Sequence, residues 1–246
     1  SDPFKQEYPF TASEAFQTSG QDSLIQPENV LAARKASKNQ SGAHIVGVDP
    51  ARFGKDSTAI IHRNGRQAYG LKRYRKKSTM EVAGICSRLL RDPVSGKKSD
   101  VDMMFIDVGG LGAGVYDRLV ELGFGDEDDG EGRIMAVNFG ERALEEDRYV
   151  NRRTEMWLTM RDWFLLQGGV DIPDEDAIQG DVCGPMYTYD SANRYKLEKK
   201  EDMVKRGLSS PDSGDALALT FAAPVAPPDL KNKRVQETIK TVGYGV

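Results

Sequence analysis

Cysteine and histidine are scarce in this chain: Cys86 and Cys183 stand far apart, and His44 and His62 are the only histidines among 246 residues. Four such residues at these spacings assemble no convincing zinc site, and a structural disulfide is not expected, so the cysteine usage fits a reducing, intracellular setting. No apolar run approaches the roughly 20 residues that a membrane-spanning helix needs. No basic-then-apolar leader opens the chain, which argues against secretion. A Gly-x-x-x-x-Gly-Lys-Ser/Thr loop for nucleotide phosphates is missing throughout, and so is any internal repeat. What is present is an ordinary globular composition, 39% hydrophobic and 29% charged, long enough for one large α/β domain with a full core.

The net charge of −4 argues mildly against a general nucleic-acid coat, but it hides patterning. Between Ser57 and Met80 there are seven cations (Arg63, Arg66, Lys72, Arg73, Arg75, Lys76, Lys77) and no acid. Asp126, Glu127, Asp128, Asp129 and Glu131 form the opposite extreme. A basic stripe on an acidic protein suits phosphates; from charge alone, a solvated hairpin face explains it equally well.

Residues 1–40 read as a polar lead-in with a short helix over 27–38, and the regular pattern begins at His44. Strands are expected over 44–50, 57–62 and 67–74, the latter two joined by the Asn64-Gly65 hairpin signal, with turn chemistry at Gly54-Lys55-Asp56. The spacing of Val82, Ile85 and Leu89 predicts a helix over 79–92, starting at Thr79. The unbroken apolar run 103–107 predicts a strand buried on both faces. Gly109, Gly110, Gly112 and Gly114 then make a turn into a helix reaching Val120. A strand over 133–139, a strong helix over 151–167, a hairpin over 186–198 and a helix over 210–222 complete the pattern; from Pro224 onward a loose tail is expected, so the domain itself spans 41–224 and the tail 225–246. The sum is a mixed central sheet flanked by helices on both faces, with an extra late hairpin.

Two strands end alike: Ile45-Val46-Gly47-Val48 runs into Asp49, and Met103-Met104-Phe105-Ile106 into Asp107. An acid straight after a buried apolar run is costly unless it is partnered or opens onto a site, and the crevice of an open α/β sheet lies beyond the carboxyl ends of its parallel strands. Ordinary strand-ending turns are the bland alternative. Asp212 and Asp215 lie three apart near the start of the last helix, hence on one side of it. For Asp212 the helix dipole is an equal explanation; Asp215 heads the apolar stretch Ala216-Leu217-Ala218-Leu219, which must pack inward. Acids converging without lysine or arginine partners repel one another, and hard divalent cations such as magnesium or manganese resolve the conflict. Two such ions can cut a phosphodiester.

These segments resemble the C-terminal nuclease domain of the large terminase subunit of tailed bacteriophages, a member of the RNase H-like (retroviral integrase) superfamily. The resemblance is carried, in order, by Gly47-Val48-Asp49-Pro50-Ala51 with Gly54-Lys55-Asp56; by Ile106-Asp107-Val108-Gly109-Gly110-Leu111-Gly112-Ala113-Gly114-Val115-Tyr116-Asp117; by Asn151-Arg152-Arg153 with Glu155-Met156-Trp157; and by Lys200-Glu201-Asp202-Met203 through Lys205-Arg206-Gly207 to Ser210-Pro211-Asp212 and Asp215-Ala216-Leu217-Ala218. It covers residues 44–222.

The resemblance implies an RNase H-like fold and an endonuclease that cleaves concatemeric double-stranded viral DNA with two Mg2+ or Mn2+ ions. Asp49, Asp107 and Asp215 would be catalytic and metal-binding, with Asp212 as a neighbouring metal ligand or a helix-dipole partner. Asp56 has a turn role as its alternative. Arg73, Arg75, Lys76, Lys77 and Lys200 are candidate DNA contacts, although solvating the hairpin is the slightly favoured reading for Lys200. Trp157 and Trp163 are expected in the core. Whole members of the family carry an ATPase motor. The glycines after Asp107 lack the lysine of a nucleotide loop, so residues 1–40 read as linker and the end of an absent ATPase region. The implied partners are double-stranded DNA, that motor, the portal ring and the small terminase subunit, in the host cytoplasm and away from membranes. Two rivals remain: a Holliday-junction resolvase-like nuclease of the same fold, and a non-catalytic module docking DNA or the portal through the basic stripe.

Overall fold

A computed structural model of the chain describes residues 23–51, 56–91, 99–125 and 132–226. The expected turn at Gly54-Lys55, the acidic run at 126–131, the lead-in before Ser23 and the tail from 227 lie outside the described residues.

The elements follow the apolar periodicity. Helix α1 (Pro27–Arg34) precedes strands β1 (His44–Asp49), β2 (Thr58–Asn64) and β3 (Gln67–Tyr74). Then come α2 (Thr79–Leu90), β4 (Met103–Asp107), α3 (Gly112–Glu121), β5 (Ile134–Val137), α4 (Arg152–Phe164) and α5 (Asp176–Cys183). The hairpin β6 (Tyr187–Tyr189) and β7 (Tyr195–Leu197) leads into α6 (Lys200–Lys205) and α7 (Asp212–Leu219). Helix α2 begins at Thr79, where it was expected, and Ser78 before it is the N-cap, exchanging bonds with Glu81 in a capping box. Helices α5 and α6 were not expected; α6 is a single short polar turn, and α5 carries Gly180 inside it, so neither shows a clean apolar stripe.

The sheet order is β3-β2-β1-β4-β5, with β1 antiparallel to β2, β2 antiparallel to β3, and β4 and β5 parallel to β1. The hairpin forms a separate two-stranded sheet. Two cores lie on opposite faces. Val46, Val48, Met104 and Ile106 pack with Val82, Cys86, Val115 and Leu119 of α2 and α3. Ile45 and Phe105 pack with Trp157, Met160, Val182 and Leu217 of α4, α5 and α7. Because strand side chains alternate, Asp49 shares the face of Ile45, and Asp107 that of Phe105. Both acids therefore look toward α4 and α7.

Two glycines fix this geometry by close approach. A Cβ on Gly47 would stand 1.9 Å from the Ala216 carbonyl oxygen, so α7 rests directly on the backbone of β1. A Cβ on Gly112 would stand 1.6 Å from the Asp107 carbonyl oxygen, so α3 starts hard against the end of β4.

The expected boundary at residue 40 is corrected. Leu24, Ile25, Val30 and Ala33 are buried in the larger core, and Leu24 N–H donates to the Pro185 carbonyl, so the packed domain reaches back to Ser23. The polarity of the lead-in concealed this, because α1 buries only Pro27, Val30 and Ala33, on a helix that also carries Glu28 and Arg34. Among the described residues, no helix is long and apolar enough to cross a membrane.

Candidate active site

The parallel register of β1 and β4 pairs Val48 with Ile106, which places Asp49 and Asp107 side by side where both strands end. Asp215, on the first turn of α7, meets them from the helical layer, carried there by the contact of Ala216 with Gly47. The three acids are buried, with Asp215 fully enclosed and Asp49 and Asp107 nearly so. Burial raises Asp49 well above the usual carboxylate range; Lys200 pulls it back, while Asp215, Asp107 and Asp212 push it further up. Burial also raises Asp107, against a hydrogen bond to its Oδ1 from Gly109 N–H at 3.0 Å.

Asp215 differs. Its Oδ1 accepts from Arg153 Nε at 2.9 Å and from Trp157 Nε1 at 2.8 Å; its Oδ2 meets Lys200 Nζ at 2.8 Å. Burial works to raise this carboxyl, but the charges of Arg153 and Lys200 outweigh it and hold Asp215 below the usual range. Lys200 also stands 3.6 Å from Asp49, and the two carboxylates raise its affinity for its proton against the opposing effect of burial.

Asp212 is buried on the same turn, yet it faces the start of β2: its Oδ2 accepts from Ser57 N–H at 2.7 Å and Ser57 Oγ at 3.0 Å. The helix dipole alone does not account for it; it ties α7 to the sheet. Behind it Asp181 of α5 accepts from Ser213 N–H at 2.8 Å, and burial pushes its carboxyl up to about 6. Asp56 is exposed.

Two expectations are corrected here. The acids do not meet without cationic partners, since Arg153 and Lys200 both bind Asp215. Lys200 turns toward the acids instead of solvating the hairpin, because α6, which it begins, sets it between two buried carboxylates. Sequence reasoning missed the roles of Arg153, Trp157, Ser57 and Asp181. For the first two the signal was in hand: they lie at the start of α4 four residues apart, in a segment that carried the resemblance without a role. Trp157 is core, as expected, but its indole N–H reaches the site from there.

The basic stripe reaches the same edge. Asp49 pairs with Ala59, and Ala59 with Arg73, which puts Arg73 two strands away, about 10 Å at the usual strand spacing. Arg75 and Lys76 follow it, exposed, while Lys77 is held by Glu81 at 2.8 Å. On the other side a cleft of about 350 Å³ opens beside Asp107, walled by Asn151, Arg153, Leu197, Lys199 and Lys200.

Among the described residues, no three acid, histidine or cysteine side chains stand as a ready-made metal cage. Asp215 shows why, since both of its oxygens are engaged by donors. The donor chemistry nonetheless fits a hard divalent cation. The groups are carboxylate oxygens, and four acids (Asp49, Asp107, Asp212, Asp215) face two cations (Arg153, Lys200), a surplus of negative charge in a buried place.

A mixed five-stranded sheet in this order, flanked by helices on both faces, is the RNase H-like fold. Among solved structures it is similar to the nuclease domain of the large terminase subunit of bacterial virus Sf6, with a TM-score of 0.67 and 19% identity over 82% of this chain and 100% of that one. It is similar also to a mutant form of that domain with manganese, at 0.66, 18% identity and the same coverage. The large terminase nuclease from thermophilic phage G20c with bound magnesium matches at 0.55 and 12% identity, over 82% and 97% of the two chains. No family model and no curated protein matches the chain in sequence.

Proposed function

We propose that this domain is the metal-dependent endonuclease of a viral DNA-packaging terminase large subunit, cleaving concatemeric double-stranded DNA by two-metal hydrolysis. The observation that carries the reading is the meeting of Asp49, Asp107 and Asp215 at one sheet edge, in the fold of terminase nuclease domains, two of which were solved with manganese or magnesium. Asp49 and Asp107 would hold the ions, with Asp215 joining through Oδ2 once Lys200 turns aside. Bound there, the ions supply an activated water and stabilise the leaving oxygen of the phosphodiester. Arg153 and Trp157 keep Asp215 aimed at the site, and Gly109 N–H fixes the rotamer of Asp107. Lys200, released from Asp215, is placed to meet a phosphate at the same edge. Arg73, Arg75 and Lys76 extend the positive path for the duplex, two strands from the acids.

In a whole terminase, the domain would work beside an ATPase motor, the portal ring and the small subunit, in the host cytoplasm. No feature of the site favours a resolvase or a non-catalytic docking module over this reading.

Incubating supercoiled plasmid with the protein and manganese or magnesium tests the proposal. The wild type is expected to nick and linearise it, EDTA to stop the reaction, and Asp107→Ala to lower the rate at least about a hundredfold while remaining folded. Unimpaired cutting by that variant would overturn the assignment.

A further inference from the structure

The hairpin beside the site carries a feature that phosphodiester hydrolysis does not use. The pairings Tyr187 with Leu197 and Tyr189 with Tyr195 put these four side chains on one face. The three tyrosine rings form a cluster, with centroids 4.8 Å apart for Tyr189 and Tyr195, 5.7 Å for Tyr187 and Tyr195, and 6.0 Å for Tyr187 and Tyr189. Tyr195 is anchored: β7 bonds to the segment before α4 through Val150 N–H to the Tyr195 carbonyl and Tyr195 N–H to the Arg148 carbonyl. Tyr187 and Tyr189 are not covered, keeping 38% and 48% of their surface in water. Packing within the cluster engages only part of Tyr187 and Tyr189, and the rest of both rings stays open to solvent beside the buried Leu197.

The placement of the row points to an occupant. Leu197, two residues from Tyr195 on the same face, also lines the cleft beside Asp107, so the tyrosine row lies next to that cleft. Tyr195 is five residues before Lys200, at most about 17 Å along an extended chain, the reach of two or three nucleotides. Charge agrees with a polyanion. The arginines around the hairpin are spent on acids: Arg148 on Glu145, Arg161 on Asp162, Arg194 on Asp190. Lys199 forms no ion pair among the described residues and stands at the cleft, while Lys196, opposite Thr188, lies on the other face of the hairpin. Aromatic faces with neighbouring free lysines are how single-stranded nucleic acid is held without sequence readout. Bases inside an intact duplex cannot reach such rings; a base must first leave the stack.

We infer that Tyr187 and Tyr189 form a stacking platform for an unpaired base of the DNA strand leaving the acidic edge, with Lys199 on its phosphates. The inference rests on the nuclease reading and narrows its substrate to duplex that is locally opened: bubbles, frayed ends and flaps ahead of intact helix.

The test compares a linear duplex carrying a central mismatch bubble with the fully paired duplex of the same sequence, using the full chain and manganese. A 2-aminopurine in the bubble reports stacking with calcium in place of manganese. The wild type is expected to cut the bubble about tenfold faster and to quench the 2-aminopurine. Tyr187→Ala with Tyr189→Ala is expected to bring the two rates together and abolish quenching while leaving the paired-duplex rate unchanged, and the Phe pair to restore both. The Phe pair keeps rings and hairpin packing, so it separates stacking from a folding defect. Equal rates with no quenching by the wild type, or a preference that survives in the Ala pair, would overturn the inference. Quenching by the wild type without any cutting would sink the nuclease reading and leave the platform standing.

Discussion

Asp49 and Asp215 are both buried carboxylates at one site, yet their surroundings assign them opposite costs. Asp49 pairs loosely, with Lys200 at 3.6 Å, and burial raises it; Asp215 is fixed by Arg153, Trp157 and Lys200. Removing one partner of a buried pair strands the other charge and costs about 3–5 kcal/mol. Asp215→Asn is therefore expected to destabilise the domain by several kcal/mol in urea unfolding, by about the cost just given for a broken buried pair. Asp49→Asn is expected to leave stability unchanged or higher, and both variants to lose cleavage. Equal stability losses in the two would contradict this division. The strand-end acids were legible in the sequence because an aspartate after four apolar residues is conspicuous. For Arg153 the sequence signalled only its place in a resembling segment, four residues before Trp157; an arginine at the first turn of a helix reads as surface, and the tertiary fold reveals that it turns inward to Asp215.

Among the elements, β1 is the axis of the site: it carries Asp49 at one end, His44 at the other and Gly47 between them. Gly47→Ala pushes a methyl into the Ala216 carbonyl, and overpacking of this kind costs typically about 1–3 kcal/mol. The expected result is a lower urea midpoint and weaker cutting, since α7 must lift and carry Asp215 away; an unchanged midpoint would show that α7 is not pressed on β1. At the far end, His44 Nε2 lies 2.8 Å from His62 Nδ1, and Tyr69 joins them. Burial, then the charge of His44, lowers His62 from 6.5 to about 4. A group with a depressed folded pKa contributes its stability above its unfolded pKa and loses it as the pH falls toward the folded value. His62 is expected to withdraw about 2 kcal/mol between pH 7.5 and pH 5, with His62→Gln flattening that slope in urea titrations at both pH values. A slope as steep in the variant would remove His62 as its source. The strands were legible because their apolar runs and the Asn64-Gly65 turn are local signals; α5 and α6 were not, because their order comes from packing against α7 and the hairpin base.

At the scale of the molecule, the two-faced core was readable as a mixed sheet with helices on both sides, the strand order was not, and the parity of β1 and β4 turns both strand-end acids toward α4 and α7. The extent of the domain was not readable, since α1 hides a narrow buried stripe within a polar lead-in. The central claim is that carboxylates remote in the chain form one divalent-cation site at the sheet edge. Anomalous scattering from a crystal soaked in manganese tests it most directly. The account predicts manganese peaks within about 2.0–2.2 Å of oxygens of Asp49 and Asp107, with Lys200 drawn off Asp215. A fully occupied manganese elsewhere, with none at those carboxylates, would contradict it.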